Sequence, residues 1–134
     1  MNGCTTCRSR GLVLLLDDEQ NIRDSLAEYL SDCGIATVRA ESAEDALALD
    51  CLDDIAVAVV DIRLGGMDGL EFIKALHVRQ PAVRYIIHTG STDFQLDGDL
   101  RAIGLSERDV LFKPVLDMAL FTQAIRQKLT EAGS

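Results

Sequence analysis

Four short apolar runs in this sequence each end on a residue with chemical capability. Leu12 to Leu16 leads into Asp17-Asp18-Glu19, Ala56 to Val60 into Asp61, Val83 to His88 into Thr89, and Val110 to Phe112 into Lys113. Fully buried parallel strands read as continuous Val/Ile/Leu-rich runs, and ligand chemistry in open α/β sheets sits just beyond their carboxyl ends. If the runs are strands of one parallel sheet, all four features meet on one edge. Two carboxylates about 5 Å apart repel by roughly 3 kcal/mol at an effective dielectric of about 20, so three together need a proton or a cation. Oxygen ligands alone select a hard ion, and Mg²⁺ typically takes one or two carboxylates and keeps water or phosphate oxygens. Lys113 adds a mobile positive point charge. A carboxylate, a divalent ion, a lysine and a threonine hydroxyl suit phosphoryl transfer. The carboxylate attacks in line while the cations balance charge on the transferred oxygens. No P-loop glycine pattern for a nucleotide is present.

The elements that must position these residues follow from periodicity. Gly11 to Leu16 predicts a first strand. Ile22, Leu26, Leu30 and Cys33 share one face of a helix over Gln20 to Cys33, which Gly34 stops as a left-handed cap. Ile35 to Arg39 is a second strand. Ser42, with Asp45 three residues on, opens a second helix whose apolar side is Ala46, Leu47, Leu49 and Leu52. Ile55 to Val60 is the central strand. Asp68 caps a third helix, with Glu71 three positions on; Leu70, Phe72, Ile73 and Leu76 pack it, and Pro81 forbids its continuation. Val83 to His88 is a fourth strand. Asp93 to Ile103 is a fourth helix with Gly98 in its middle, at a cost of about 1 kcal/mol relative to alanine. Val110 to Phe112 is a fifth strand. Asp117 to Glu131 is a fifth helix with Leu120, Phe121, Ala124, Ile125 and Leu129 facing inward. Five alternations of strand and helix predict an α/β fold, a doubly wound parallel sheet covered on both faces. Residues 1–10 read as a flexible tail, 11–131 as the domain and 132–134 as a short C-terminal tail.

Composition bounds the partners. The chain has 134 residues, 48% of them apolar, which fits one domain and rules against disorder. Twenty-two acidic residues against 13 basic ones give a net charge of −9. That argues against direct nucleic-acid binding, which needs clustered basic residues, and against anionic membrane surfaces. Cys4-x-x-Cys7 has the spacing of half a zinc site or a redox pair, but no second pair follows, so it reads as part of the tail. Cys33 and Cys51 read as small core or boundary residues, and free thiols imply a reducing compartment. The apolar run Leu12 to Leu16 is shorter than the roughly seven residues of a signal-peptide core, and nothing approaches the roughly 20 of a membrane span. The expected location is cytoplasmic.

Together the motifs Leu-Leu-Leu-Asp17-Asp18-Glu19, Val-Val-Asp61-Ile-Arg-Leu, Met67-Asp68-Gly69, Thr89-Gly90 and Phe112-Lys113-Pro114 resemble those of the response-regulator receiver domains of two-component signalling, over residues 11 to 131. The resemblance implies a flavodoxin-like sheet of five strands in the order 2-1-3-4-5, with five helices. It implies that Asp61 accepts a phosphoryl group from a sensor histidine kinase or a histidine phosphotransfer protein. Mg²⁺, or Mn²⁺, would be bound directly by Asp18, mainly through water by Asp17, by Asp61 and by the backbone carbonyl of Arg63. Thr89 would hydrogen-bond the phosphoryl oxygens, Lys113 would pair with the phosphate, and Pro114 would follow in a cis peptide bond. Asp61 and Lys113 would assist the transfer, with no turnover of an external substrate. The output surface for a downstream protein would be the fourth helix, fifth strand and fifth helix.

The sequence departs from the family pattern in three places. Val110 stands where the family often has an aromatic residue, three positions before the lysine. Gly65, followed by Gly66, stands where a proline is common, which implies a loop with more backbone freedom. The stretch from Gly104 to Lys113 is about two residues longer than the resemblance implies. These departures keep open a binding module that works without phosphorylation. An Mg²⁺-dependent phosphatase with an aspartyl nucleophile, resembling the haloacid-dehalogenase group, is the other alternative, and Arg63 counts against it, because that group has a second aspartate two residues after its nucleophile. Alternation points His88 away from Thr89, towards a structural or surface role. His77 reads as exposed, and Met67 as packing under its loop.

Overall fold

A computed structural model of the protein describes residues 11–64, 66–91, 93–115 and 117–133, with side chains as far as 130. The N-terminal tail with Cys4 and Cys7, Gly65 and the last residue lie outside the described residues. The strands are β1 (Leu12–Leu16), β2 (Thr37–Ala40), β3 (Ile55–Val60), β4 (Arg84–Thr89) and β5 (Val110–Phe112). The helices are α1 (Gln20–Asp32), α2 (Ala43–Leu47), α3 (Gly69–Arg79), α4 (Gly98–Ile103) and α5 (Ala119–Gly133). The sheet order is β2-β1-β3-β4-β5 and every neighbouring pair is parallel. This is the doubly wound single domain expected from the alternation, in the flavodoxin-like strand order that the resemblance implies.

Alternation along the strands builds two cores. Leu14, Leu16, Ala58, Val60, Tyr85 and Ile87 face one side, where Phe72, Ile73 and Leu76 of α3 and Leu100 of α4 cover them. Val13, Leu15, Val57, Val59 and Ile86 face the other, under Leu26 and Leu30 of α1 and Phe121 and Ile125 of α5. Burying one such Leu, Ile or Phe stabilises the fold by roughly 1.5–3 kcal/mol. Register then fixes the edge that matters. Leu16 pairs with Val60 and Thr89 with Phe112, so Asp17 and Asp61 leave the sheet side by side, as Thr89 and Lys113 do. The Asp61 N–H donates to the Leu16 carbonyl at 2.9 Å, and the Lys113 N–H to the Thr89 carbonyl at 2.8 Å.

Local signals behave as their chemistry dictates, with five corrections. Gly34 ends α1 with φ +81°. Asp68 and Glu71 form a reciprocal capping box at α3, with bonds of 2.9 and 3.2 Å. The second helix is shorter than expected: Ser42 caps it through the Asp45 N–H, but it ends at Leu47, and Leu52 is buried from a 3₁₀ turn, Leu52–Asp54, that feeds β3. Asp50, Asp53 and Asp54 would have stood at a negative helix terminus. The fourth helix starts at Gly98, because the Asp97 side chain accepts from the Leu100 N–H at 2.8 Å; Gly98 is thus a first-turn residue and escapes the interior penalty. Leu120 faces outward at 48% exposure. His77 is half-buried, with Nδ1 shielded from solvent. Strand limits also shift: β2 begins at Thr37 because Ile35 closes the α1 cap, its N–H donating to the Leu30 carbonyl at 2.9 Å, and β4 includes Thr89. Among the described residues, no helix is long and apolar enough to cross a membrane.

Candidate functional site

At the carboxyl edge of β1 and β3, the carboxylates of Asp17, Asp18, Glu19 and Asp61 place ligand oxygens within 4.8 Å of one another. One ammonium enters the group. Lys113 Nζ, carried in by the end of β5, lies 3.0 Å from Asp17 Oδ2, 2.9 Å from Glu19 Oε1 and 3.2 Å from Asp61 Oδ2. The Asp17 and Asp61 side chains are each 5% exposed and that of Lys113 13%, whereas that of Glu19 is 59% exposed. Asp18 is also exposed. The site is therefore a buried floor of two acids, a lysine laid across it and an open acidic rim.

Backbone groups hold the floor. Asp17 Oδ1 accepts from the Glu19 N–H at 2.9 Å, and Asp61 Oδ1 from the Arg63 N–H at 3.1 Å. The Arg23 guanidinium, one turn into α1, donates to the Asp17 carbonyl at 2.8 Å. Burial pushes the Asp61 carboxyl above its ordinary value; the Lys113 charge and the Arg63 N–H pull against this and do not cancel it, and the Asp17 charge adds to the rise. Burial pulls the Lys113 ammonium down, but its close contacts with the Glu19 and Asp17 carboxylates, with the charges of Asp17 and Asp61, outweigh it and hold its pKa above the ordinary lysine value. Three carboxylates share one ammonium and the fourth, Asp18, stands beside them, so acids outnumber cations in the group.

Asp17 Oδ2 supplies the test of a metal. It is buried and has no hydrogen bond; the Lys113 ammonium faces it outside hydrogen-bonding geometry. A buried carboxylate oxygen whose one counter-charge is an ammonium shared with two other acids, among oxygen donors only, fits a hard divalent cation.

The other expected residues are placed less directly. Thr89 is fully buried, and its hydroxyl accepts from the Ser91 N–H at 3.1 Å; its tie to the site is the backbone bond to Lys113. Arg63 meets Asp61 through its N–H. The Lys113-Pro114 peptide is cis. His88 is buried, pointing to the α5 side, where its ring meets Phe121 edge-on at 4.7 Å.

Three residues gain parts that sequence reasoning did not give them. A Cβ on Gly69 would collide with the Asp61 carbonyl oxygen and stand 2.9 Å from Ile62 Cα, so the first turn of α3 can press on the acceptor backbone only without a side chain. The Asp68-Gly69 pair was the available signal. Glu44 of α2 accepts from the Met67 N–H at 3.0 Å, a bond that lowers its pKa, and it lies beside Gly66, whose φ is +74°. Nothing in the sequence links Glu44 to that loop. Glu19 was only the third acid of a run; the structure gives it the shortest contact to Lys113.

Comparison with known proteins agrees with this geometry. The model of the response regulator receiver domain matches residues 13–126. The transcriptional regulatory protein FixJ of Azorhizobium caulinodans is 34% identical over 117 residues, covering 87% of this chain and 54% of that protein. The DNA-binding transcriptional regulator NtrC of Salmonella typhimurium is 34% identical over 105 residues, covering 78% of this chain and 22% of that protein. The chain thus spans about half or less of these relatives. A CheY-like receiver domain protein from Methanospirillum hungatei superposes with a TM-score of 0.73 at 25% identity, covering 91% of this chain and 95% of that one. The response regulator TrrA of Thermotoga maritima, solved in complex with Mg²⁺ and BeF, shares the fold with a TM-score of 0.75 at 23% identity, covering 88% and 98%. With its sheet order, its acid cluster and the family match across nearly all of its length, the chain belongs to the response regulator receiver domains.

Proposed function

We propose that this receiver domain is a phosphoacceptor switch in which Asp61 takes a phosphoryl group from a phosphohistidine of a sensor histidine kinase or a histidine phosphotransfer protein. An Asp61 oxygen forms the new P–O bond as the P–N bond breaks, and the electron pair returns to the donor imidazole. The observation that carries the reading is the convergence of Asp61, Asp17 and Lys113 from three strand ends, with the buried Asp17 Oδ2 lacking a hydrogen bond. Asp17, Asp18, Asp61 and the Arg63 carbonyl are the groups that would hold Mg²⁺ or Mn²⁺. Such an ion supplies charge neutralisation for the transferred oxygens. Lys113 supplies the second positive charge, and the Arg63 N–H orients the Asp61 carboxylate. Thr89 is assigned to the phosphoryl oxygens on family likeness; its hydroxyl oxygen accepts from the Ser91 N–H, which leaves its O–H as the donor. The setting is cytoplasmic.

The partner face is assigned to α4, β5 and α5. Phe112 and Leu120 are exposed there, at 42% and 48%. A groove of about 290 Å³ between α4 and β5 is lined by Phe94, Leu96, Val110 and Phe112, with Arg101 and Glu107 paired at its edge. Exposed aromatic surface of this kind marks protein contacts.

Intact-mass measurement after incubation with Mg²⁺ and a small phosphodonor tests the reading. Wild type gains one phosphoryl group, stable in acid and labile in base, while Asp61→Asn gains none; an unmodified wild type overturns it. A second reading, binding without switching, draws on Val110 and on the Thr89 hydroxyl being held by Ser91. It is favoured if a phosphate mimic binds at Asp61 and leaves partner affinity unchanged.

A further inference from the structure

We propose that Glu19 is a positioning residue for Lys113, receiving its ammonium when a divalent cation takes the Asp17 and Asp61 oxygens and keeping it at the rim of the site for the incoming phosphoryl oxygens. The inference rests on the reading of Asp61 as phosphoacceptor and adds a residue to it.

Lys113 Nζ now stands on three carboxylates at once. Two of them, Asp17 and Asp61, present buried oxygens that a hard cation would occupy. An ammonium and a divalent ion cannot share those oxygens without strong repulsion. The third, Glu19, lies outside the floor and is largely solvated, so an ammonium held there keeps most of its hydration. Glu19 Oε1 already makes the shortest of the three contacts, at 2.9 Å.

The backbone explains why Glu19 is free for this. It occupies the N-cap position of α1, yet its side chain makes no capping hydrogen bond. Its N–H is fixed on Asp17 Oδ1 at 2.9 Å, so the residue is anchored to the floor by its main chain. Its carboxylate spans instead to a lysine 94 positions away. An N-cap acid would ordinarily serve the helix terminus; here the side chain serves the site.

A double-mutant cycle on the full chain tests this, with Mg²⁺ affinity read by calorimetry. Glu19→Gln is expected to weaken Mg²⁺ binding about fivefold when Lys113 is present, because the lysine then stays on Asp17 and Asp61, and less than about twofold in Lys113→Met. Glu19→Asp keeps the charge but loses the reach, and is expected to behave like Glu19→Gln. Equal losses in both backgrounds, or a wild-type affinity in Glu19→Asp, overturn the proposal and make Glu19 a direct ligand or a plain charge. The metal-free protein gives a second readout. The Lys113 Nζ resonance, identified by its loss in Lys113→Met, must shift in Glu19→Gln without Mg²⁺; an unmoved resonance overturns the proposal whatever the metal does. A wild type that takes neither Mg²⁺ nor a phosphoryl group overturns the functional reading and this proposal with it, whereas a normal adduct on Asp61 with an additive cycle sinks the proposal alone.

Discussion

Two buried aspartates, each facing a lysine, have opposite surroundings. Asp109, at the foot of β5, has one partner for each oxygen: Lys128 of α5 at 2.5 Å on Oδ1 and the Ser106 N–H at 2.9 Å on Oδ2. Asp17, at the head of β1, shares its lysine with Glu19 and Asp61 and keeps one oxygen without a hydrogen bond. The first pair is balanced and ties the loop before β5 to the last helix. The second cluster is left short of positive charge. A fold gains nothing from such a deficit, so the deficit points to something that arrives later: a cation, and then a phosphoryl group beside Lys113.

The largest expected effect tests the balanced side. Lys128→Met removes the ammonium and keeps most of the stem, leaving Asp109 charged and buried. It should destabilise the fold by about 3 kcal/mol, as breaking one side of a buried pair does. Lys113→Met is the matching change on the functional side, and its loss should be smaller, about 2 kcal/mol, because one of its three partners, Glu19, is solvated. Mg²⁺ at about 100 times its Kd stabilises any variant with an intact acid cluster by about 2.7 kcal/mol through mass action, so the readout is the gap to wild type in urea midpoints with and without Mg²⁺. The gap should stay unchanged for Lys128→Met and narrow for Lys113→Met, whose Asp17 and Asp61 oxygens no longer hold the ammonium. If the gap narrows for both variants or for neither, the two regions do not differ in this way.

His88 is a third case, a buried titratable group whose Nδ1 has no hydrogen-bond partner among the described residues. Burial, helped by the Lys113 charge and opposed by Glu19, pushes its pKa down to about 4 from 6.5. The unfolded chain then takes up a proton at higher pH than the folded one. Stability falls as pH drops from about 6.5 towards about 4, and the penalty is complete below that. Between pH 7 and pH 5 wild type should lose about 1–2 kcal/mol relative to His88→Leu, whose side chain also fills the space beside Phe121. Parallel urea titrations at the two pH values show it; equal losses would mean that the fold does not lower the His88 pKa.

The contrast also sets what a sequence can reveal here. Asp17, Asp61 and Lys113 were legible because each directly follows an apolar run, and parallel register brings strand ends together without any knowledge of rotamers. The weak fourth helix was legible as a weakness but not in its start, since Asp97 can cap only if the chain before it stays extended. Leu49 and Leu52 have helical spacing, and the acids around them gave the only hint that the second helix stops early. The ties that shape the site from outside its motifs were not legible. Glu19 to Lys113 and Glu44 to Met67 depend on where flexible side chains settle, across 94 and 23 positions. Gly69 was legible only as a member of the Met67-Asp68-Gly69 motif, because the carbonyl that forbids its side chain belongs to Asp61, which the α3 backbone approaches only once the sheet is built.

The smallest effect bears most directly on the deficit. Asp61 has its pKa raised by burial, with Lys113 only partly offsetting this. A carboxyl with a raised folded pKa binds its proton more tightly folded than unfolded, so stability falls as pH rises from the ordinary aspartate value, 3.8, through the raised one. Above that window the whole penalty is present. Asp61→Asn, which cannot ionise, should therefore be more stable than wild type at pH 7 without metal, by about 1 kcal/mol, the size of one carboxylate's repulsion at a partly solvated site. The advantage should shrink as pH falls below the window, where wild type is itself protonated. It should shrink at pH 7 as well when Mg²⁺ is added, since the cation stabilises the protein that carries the full set of carboxylates. Denaturation midpoints at low pH, at pH 7 and at pH 7 with Mg²⁺ give the three comparisons. A destabilised Asp61→Asn under all three would mean that Lys113 already satisfies Asp61, as Lys128 satisfies Asp109, and that the cluster is structural.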